Sequence, residues 1–259
     1  MKRVTIATWN VGSIHESNEN KDLFLSSFDK LDSDVLCLQE LPKDLQLFAE
    51  IREKGHYLDY CFVSCCRSHI GLHLEMGIAL FSRNKIDETS FYKLKKVYNH
   101  LTTFDGNVEQ IHDKFFLSAK IADDIYVCGH GFPAFRYIRP QFKYSEIEKE
   151  KWKEFCVREE DYALTFAGVQ DWILDLSEKG RSIVIAGDFN VENPLKEMPV
   201  LNNSFFDIFS GIMTRPVMKE GFPYKTDGII VPKGTAIINR KLIKDVFDHF
   251  ALVSTIQLK

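Results

Sequence analysis

Apolar residues along the chain come in short runs separated by polar and turn-forming residues. Such runs cover 4–8, 34–38, 57–64, 77–82, 115–121, 125–129, 182–186, 228–231 and 251–258. They are rich in Val, Ile and Phe and bounded by Gly, Asp, Asn or Pro, which is the signal of strands. Between some of them the period lengthens to about 3.6 residues and predicts helices. In 21–31, Leu23, Phe24, Phe28 and Leu31 share a face; Leu41, Leu45, Phe48 and Ile51 do the same. A longer segment, 161–177, is apolar on one side through Phe166, Val169, Ile173 and Leu176. Ser145-Glu146-Ile147-Glu148 reads as a capping box opening a helix toward Trp152 and Phe155. Strand often follows strand directly, which argues against a doubly wound parallel sheet. The fold class expected is α/β: two mainly antiparallel β-sheets packed together, with helices on the outer faces.

Composition narrows this further. The chain has 259 residues, of which 45% are hydrophobic and 21 are Phe, enough for a large core. It carries no internal repeat, low-complexity tract or Pro/Gly/Ser linker, so one domain over residues 1–259 is expected. No apolar run approaches the roughly 18 residues that cross a bilayer. Met1-Lys2-Arg3 is followed by too short an apolar stretch for a secretion signal. The 6 cysteines fall mostly in apolar runs, where thiols act as small hydrophobes, and a reducing cytoplasm is the expected location. A net charge of −4 excludes a strongly basic, sequence-blind DNA binder. Nucleic acid stays open as a partner, because a local basic cleft or bound cations can carry the electrostatics. A monomer without a protein partner is the expectation.

Polar residues concentrate where the strands end. Asn10 closes the first strand, Glu40 follows the second, His130 follows Gly129, and Asp188 and Asn190 follow the run 182–186. Asp227 precedes 228–231, and Asp248-His249 precedes the last strand. If these ends share one rim, they gather hard oxygen donors and imidazoles, a set suited to Mg²⁺. Each also has a local reading. Asp188 with Asn190 suits an Asx-turn, Asp227-Gly228 a hairpin turn, and Glu40 the first turn of a helix. Cys61, Cys65, Cys66, His69 and His73 are dense, but in a strand Cys61 and Cys65 face away from Cys66, which spoils a shared zinc site. Glu75 is either a hydrogen-bond partner for His130 or a solvent-facing glutamate. The segment 131–144 interleaves Arg136, Tyr137, Arg139 and Lys143 with Phe132, Phe135 and Phe142. That mixture suits phosphate contact and base stacking, or loop packing with solvated charges.

The ordered series Thr8-Trp9-Asn10, Gln39-Glu40, Gly77-Ile78-Ala79-Leu80-Phe81-Ser82-Arg83, His130, Gly187-Asp188-Phe189-Asn190, Asp227 and Asp248-His249 resembles the endonuclease/exonuclease/phosphatase superfamily, with its deoxyribonuclease I-like fold. The resemblance implies a four-layer α/β sandwich and Mg²⁺- or Mn²⁺-dependent phosphoester hydrolysis. It implies that Glu40 is the principal metal ligand, with Asn10 and Asp248 in the metal shell. Asp188 and Asn190 would handle the attacking water and the phosphate. Asp227 would orient His249, and His130 would contact the phosphate or act as an acid. Whether Asp188 or His249 takes the water's proton is open, with Asp188 favoured. Gln39-Glu40-Leu41-Pro42 lacks the Thr-Lys pair of the abasic-site and exonuclease III branch, which points away from DNA repair. The expected function is a nuclease on DNA or RNA, with Arg136, Tyr137 and Arg139 contacting substrate. The alternatives are a phosphatase or phosphodiesterase on phosphoinositides, phospholipid headgroups or small nucleotides, and a non-enzymatic binding module.

Overall fold

Alternation along β1 (Lys2–Asn10) sets the plan of the whole molecule: Val4 and Ile6 enter one apolar cluster, Ala7 and Trp9 another on the opposite face. A strand buried on both faces reads as a continuous apolar run, which is why these strands were legible in sequence. The computed structural model describes residues 2–67, 75–95, 100–102, 108–110, 113–131, 159–215, 225–244 and 247–259. The other strands are β2 (Val35–Pro42), β3 (Asp59–Arg67), β4 (Glu75–Ser82), β5 (Glu88–Lys93), β6 (His100–Thr102), β7 (Val108–Gln110), β8 (Phe115–Ile121), β9 (Asp124–His130), β10 (Ser182–Asp188), β11 (Phe205–Asp207), β12 (Asp227–Pro232), β13 (Ala236–Ile243) and β14 (Ala251–Leu258). The main helices are α1 (Asn18–Ser26), α2 (Phe28–Leu31), α3 (Leu45–Gly55) and α4 (Glu159–Ser177).

Two six-stranded sheets result, ordered β13-β14-β1-β2-β4-β3 and β11-β12-β10-β9-β8-β5, beside a small β6-β7 pair. Each large sheet is mixed: β1 and β2 run parallel in the first, β9 and β10 in the second, and the other neighbours are antiparallel. The two sheets thus repeat one strand plan, although the sequence shows no repeat. Val4, Val35, Ile78, Leu117, Val184, Ile229 and Leu252 fill the space between them. Phe24, Phe28, Leu47 and Phe48 cover the outer face of the first sheet; Phe166, Val169 and Ile173 of α4 cover the second. The order is helices, sheet, sheet, helix, the four-layer sandwich expected.

Local departures have identifiable causes. The helix expected over 41–51 begins at Leu45, because the Asp44 carboxylate accepts the N–H groups of Gln46 and Leu47 and caps it there. Leu41 and Pro42 stay in β2, paired with Gly77 and Met76. The segment 21–31 is two helices, broken at Ser27. β5, β11 and β13 were not legible: β11 is three residues long, and β5 and β13 are sheet edges with largely exposed faces. Cys61 and Cys65 both pack against the inter-sheet core. No helix among the described residues is long and apolar enough to cross a membrane. The capping box at 145–148 lies outside the described residues.

Candidate active site

The alternation that builds the inter-sheet core also delivers the polar residues at its open end. In β9, Tyr126 and Cys128 face the other sheet; two residues on, so does His130. In β10, Val184 and Ala186 lead in the same way to Asp188, and in β12 Asp227 precedes inward-facing Ile229 and Val231. Asp188 is paired with His130 on one side and Asp227 on the other. From the facing sheet, Asn10 donates its Nδ2 to Asp188 Oδ2 at 2.9 Å. His249 lies in the loop before β14, pinned where the Trp9 indole N–H donates to its carbonyl at 3.0 Å. Trp9 itself is wedged between Phe24 and Phe247 on the outer face.

Glu40 arrives by a different device. Simple alternation would place it with Leu36 and Leu38, against the helices. Instead the β2–β4 register shifts between Leu38 and Leu41, and Glu40 has φ +56°. This bulge inserts one residue, so Leu41 takes the outward position and the Glu40 carboxylate turns to the rim. Gly12 makes room for it: a Cβ there would overlap Glu40 Oε2 and lie 3.4 Å from Asn10 Oδ1. Glu40 is therefore no part of a helical first turn.

Asp227 is fully buried and accepts from His249 Nδ1 at 3.0 and 3.1 Å, Thr214 Oγ1 at 2.8 Å and Thr226 Oγ1 at 2.9 Å. It opens β12 opposite Asp188, so Asp227-Gly228 is a strand pair and not a hairpin turn. Asp188 does make the Asx-turn: Oδ1 accepts the Asn190 N–H at 2.9 Å, leaving Oδ2 for the site. Asn190 has φ +54°, a conformation asparagine tolerates, and its Nδ2 donates to the Gly131 carbonyl at 3.0 Å. The Nε2 atoms of His249 and His130 lie 3.8 and 4.0 Å from Asp188 Oδ2. Asp248 points to the rim, where Arg215 Nη2 meets its Oδ2 at 2.5 Å. Glu75 pairs with Lys43 at 2.8 Å. Arg136, Tyr137 and Arg139 lie outside the described residues.

The two imidazoles sit in opposite electrostatic settings. Burial disfavours charge on His249, but the carboxylates of Asp227 and Asp188 outweigh it and carry its pKa up to about 9. For His130, burial acts first and the Lys114 ammonium and His249 add to it, so its pKa falls well below the ordinary value. Burial and the Asp227 charge push Asp188 up to about 6. Burial would raise Asp227 too; the charge of His249 and the hydrogen bonds from His249, Thr214 and Thr226 hold it below its ordinary value. One imidazole is charged at neutral pH, the other is neutral, and a carboxylate of intermediate strength lies between them. Thr214, Arg215 and Lys114 carried no sequence signal, since each meets its partner only through space; Thr226 could have been read from its place beside Asp227.

Among the described residues, Asp188, Asp227 and His249 bring ligand-type atoms within 4.8 Å of one another. That trio is a poor cage as it stands, because Asp227 is already saturated by three donors and His249 Nδ1 is one of them. The Glu40 side fits a hard divalent ion better: its carboxylate is 40% exposed and lies in the cradle that Gly12 leaves open beside Asn10.

Paired carboxylates and imidazoles at the open end of a two-sheet sandwich define a hydrolytic site of the phosphoester-cleaving kind. The chain belongs to the endonuclease/exonuclease/phosphatase family, whose sequence profile matches residues 7–235, and it is a phosphoester hydrolase of that family. No curated protein matches it significantly. Solved structures agree in fold over nearly the whole chain. A family protein from Leptotrichia buccalis C-1013-b is 18% identical, with 99% of each chain covered and a TM-score of 0.63. The human Nocturnin catalytic domain with bound sulfate is 13% identical, with 99% of this chain and 94% of that one covered and a TM-score of 0.66. The 3' phosphatase NExo from Neisseria bound to product DNA hairpin is 17% identical, with 99% of each chain covered and a TM-score of 0.59.

Proposed function

We propose that this chain is a divalent-metal-dependent nuclease acting on DNA or RNA. The observation that carries the hydrolytic part is the division of charge around Asp188: His249 is held protonated by buried Asp227, while His130 is held neutral beside Lys114. Phosphoester hydrolysis needs both a base for water and positive charge for the phosphoryl oxygens. Asp188, with its pKa at about 6, is ionised at neutral pH and still basic enough to accept the water's proton. Asn10 holds the Asp188 carboxylate in place through its amide. Asn190 fixes it through a backbone N–H and keeps the Gly131 carbonyl turned aside. His249 stabilises a non-bridging oxygen and is the proton source for the leaving oxygen, with Asp227 fixing its tautomer. His130, with its Nε2 facing the Lys114 ammonium, lines the phosphoryl position beside Asp188.

Glu40 and Asn10 are the residues that would hold Mg²⁺ or Mn²⁺, with Asp248 at the rim beside them. When bound there, such an ion relieves charge on the phosphoryl oxygens. Nucleic acid as substrate is supported by the DNA-bound Neisseria structure of the same fold and by the arginines and aromatic rings of 131–144, which follow His130 in the chain. The chain acts as a single-domain monomer in the cytoplasm on this reading. The test is a Mg²⁺-supplemented screen over single- and double-stranded DNA, RNA, nucleotides and phosphoinositides, with Asp188→Asn as the control. Chelator should abolish cleavage of the preferred nucleic acid, and Mg²⁺ should restore it. Turnover confined to phosphoinositides or nucleotides would refute the nuclease assignment, and full activity in chelator would refute the metal.

A further inference from the structure

Lys114 stands at the mouth of β8, with a side chain only 17% exposed. Its Nζ is 2.7 Å from Nε2 of His130 and 3.9 Å from Oε1 of Glu40. Its backbone is held, because its carbonyl accepts the Leu94 N–H at 2.9 Å and β8 pairs with β9 from Phe116 opposite Gly129. Among the described residues no carboxylate oxygen is within hydrogen-bond distance of this ammonium. Asp113, its neighbour in the chain, pairs with Lys93 at 2.8 Å.

A cation carried this far out of water requires an anionic counterpart. Glu40 at 3.9 Å is a loose one, and a divalent ion on Glu40 would make the lysine costlier still by like-charge repulsion. The arrangement becomes favourable when a multiply charged anion lies against this ammonium. Across Asp188 stands a second ring nitrogen, His249 Nε2, 3.8 Å from Asp188 Oδ2; the His130 Nε2 that Lys114 touches is 4.0 Å from the same oxygen. A tetrahedral phosphoryl group directs its oxygens apart, so it can meet nitrogen donors on two opposite walls at once. We infer that Lys114 is a phosphate-binding residue of this site, its ammonium taking a non-bridging phosphoryl oxygen from the Glu40–His130 wall, opposite His249. The inference rests on the phosphoester reading above and adds a residue that no motif marks.

The probe is inorganic phosphate, titrated calorimetrically into the full chain with Mg²⁺ present, for the wild type, Lys114→Met and Lys114→Arg. Lys114→Met should bind phosphate at least about tenfold more weakly, the scale of one charge-assisted hydrogen bond. It should raise KM by a similar factor in the substrate screen. Lys114→Arg should restore most of both. Mg²⁺ binding, measured separately without phosphate, should be unchanged or tighter in Lys114→Met, because a like charge beside Glu40 has gone. If the Met variant melts several degrees lower, Lys114→Gln is read in its place. Unchanged phosphate affinity and KM in a wild type that binds and hydrolyses would overturn the inference alone. Weakened Mg²⁺ binding in step with phosphate would also overturn it, since Lys114 would then be holding Glu40. A wild type that neither binds phosphate nor hydrolyses any phosphoester would overturn the phosphoester reading and the inference together.

Discussion

Asp227→Asn removes one charge from the most buried group of the site and keeps its shape. In the wild type, His249 titrates at about 9 against an ordinary value of 6.5, because Asp227 and Asp188 together overcome burial. The amide keeps one oxygen for the threonine hydroxyls, but its other end is a donor that faces the His249 Nδ1 hydrogen. With the Asp227 charge gone, burial prevails and the ring should titrate below 6.5. A fall from about 9 to below 6.5 is worth roughly 3 kcal/mol in proton affinity. His249 should therefore change from charged to neutral at pH 7.5, and turnover there should fall about 10²-fold or more, as for loss of a positioned acid. A raised imidazole pKa stabilises the fold fully below 6.5 and loses that contribution as pH rises toward 9. The depressed Asp227 contributes above 3.8 and is lost in acid. The stability gap between wild type and variant should therefore be widest between about pH 4 and 6.5 and shrink toward pH 9. The assay is an NMR titration of the imidazole Cε1–H signals in the metal-free protein, with His249 assigned from a His249→Gln spectrum. A wild-type midpoint near 6.5, or a midpoint that Asp227→Asn leaves in place, would refute the reasoning.

Asp188→Asn should cut turnover by about 10² or more while leaving the melting temperature at neutral pH equal or higher, because an ionised buried carboxylate is removed; a variant with near-normal kcat would exclude Asp188 as base. Gly12→Ala should displace the Glu40 carboxylate and raise the Mg²⁺ half-saturation of activity by about 10–100-fold, with the circular dichroism spectrum unchanged. An unaltered Mg²⁺ titration would take the ion away from Glu40. Thr214→Val removes a donor to Asp227 and the acceptor for the Thr226 and Asp227 N–H groups at 3.0 and 3.1 Å. It should cost about 1–3 kcal/mol per stranded group in urea unfolding and, with the Asp227 charge retained, leave the His249 titration midpoint above its ordinary value, unlike Asp227→Asn.

The strands that form the inter-sheet core were legible because both of their faces are buried, so local hydrophobicity carries the information. The edge strands β5 and β13 were not, since a strand whose partner lies on one side and water on the other need not be apolar. Asn10, His130, Asp188 and Asp227 were legible as strand-end residues, and alternation even predicts that they face inward. Glu40 shows the limit: its identity is in the sequence, but its direction comes from a bulge that depends on the register against β4. The same holds for charge. Asp227 and His249 are 22 residues apart, Lys114 and His130 are 16 apart, and Asn10 and Asp188 are 178 apart. A side chain's burial propensity belongs to the residue and its neighbours in the chain, so the sequence alone could determine the layers and the residue types gathered at the rim. Which imidazole is charged, which cation lines the site and which carboxylate stays exposed were decided only by tertiary structure, because Coulomb forces and desolvation act through space between groups the chain order keeps apart.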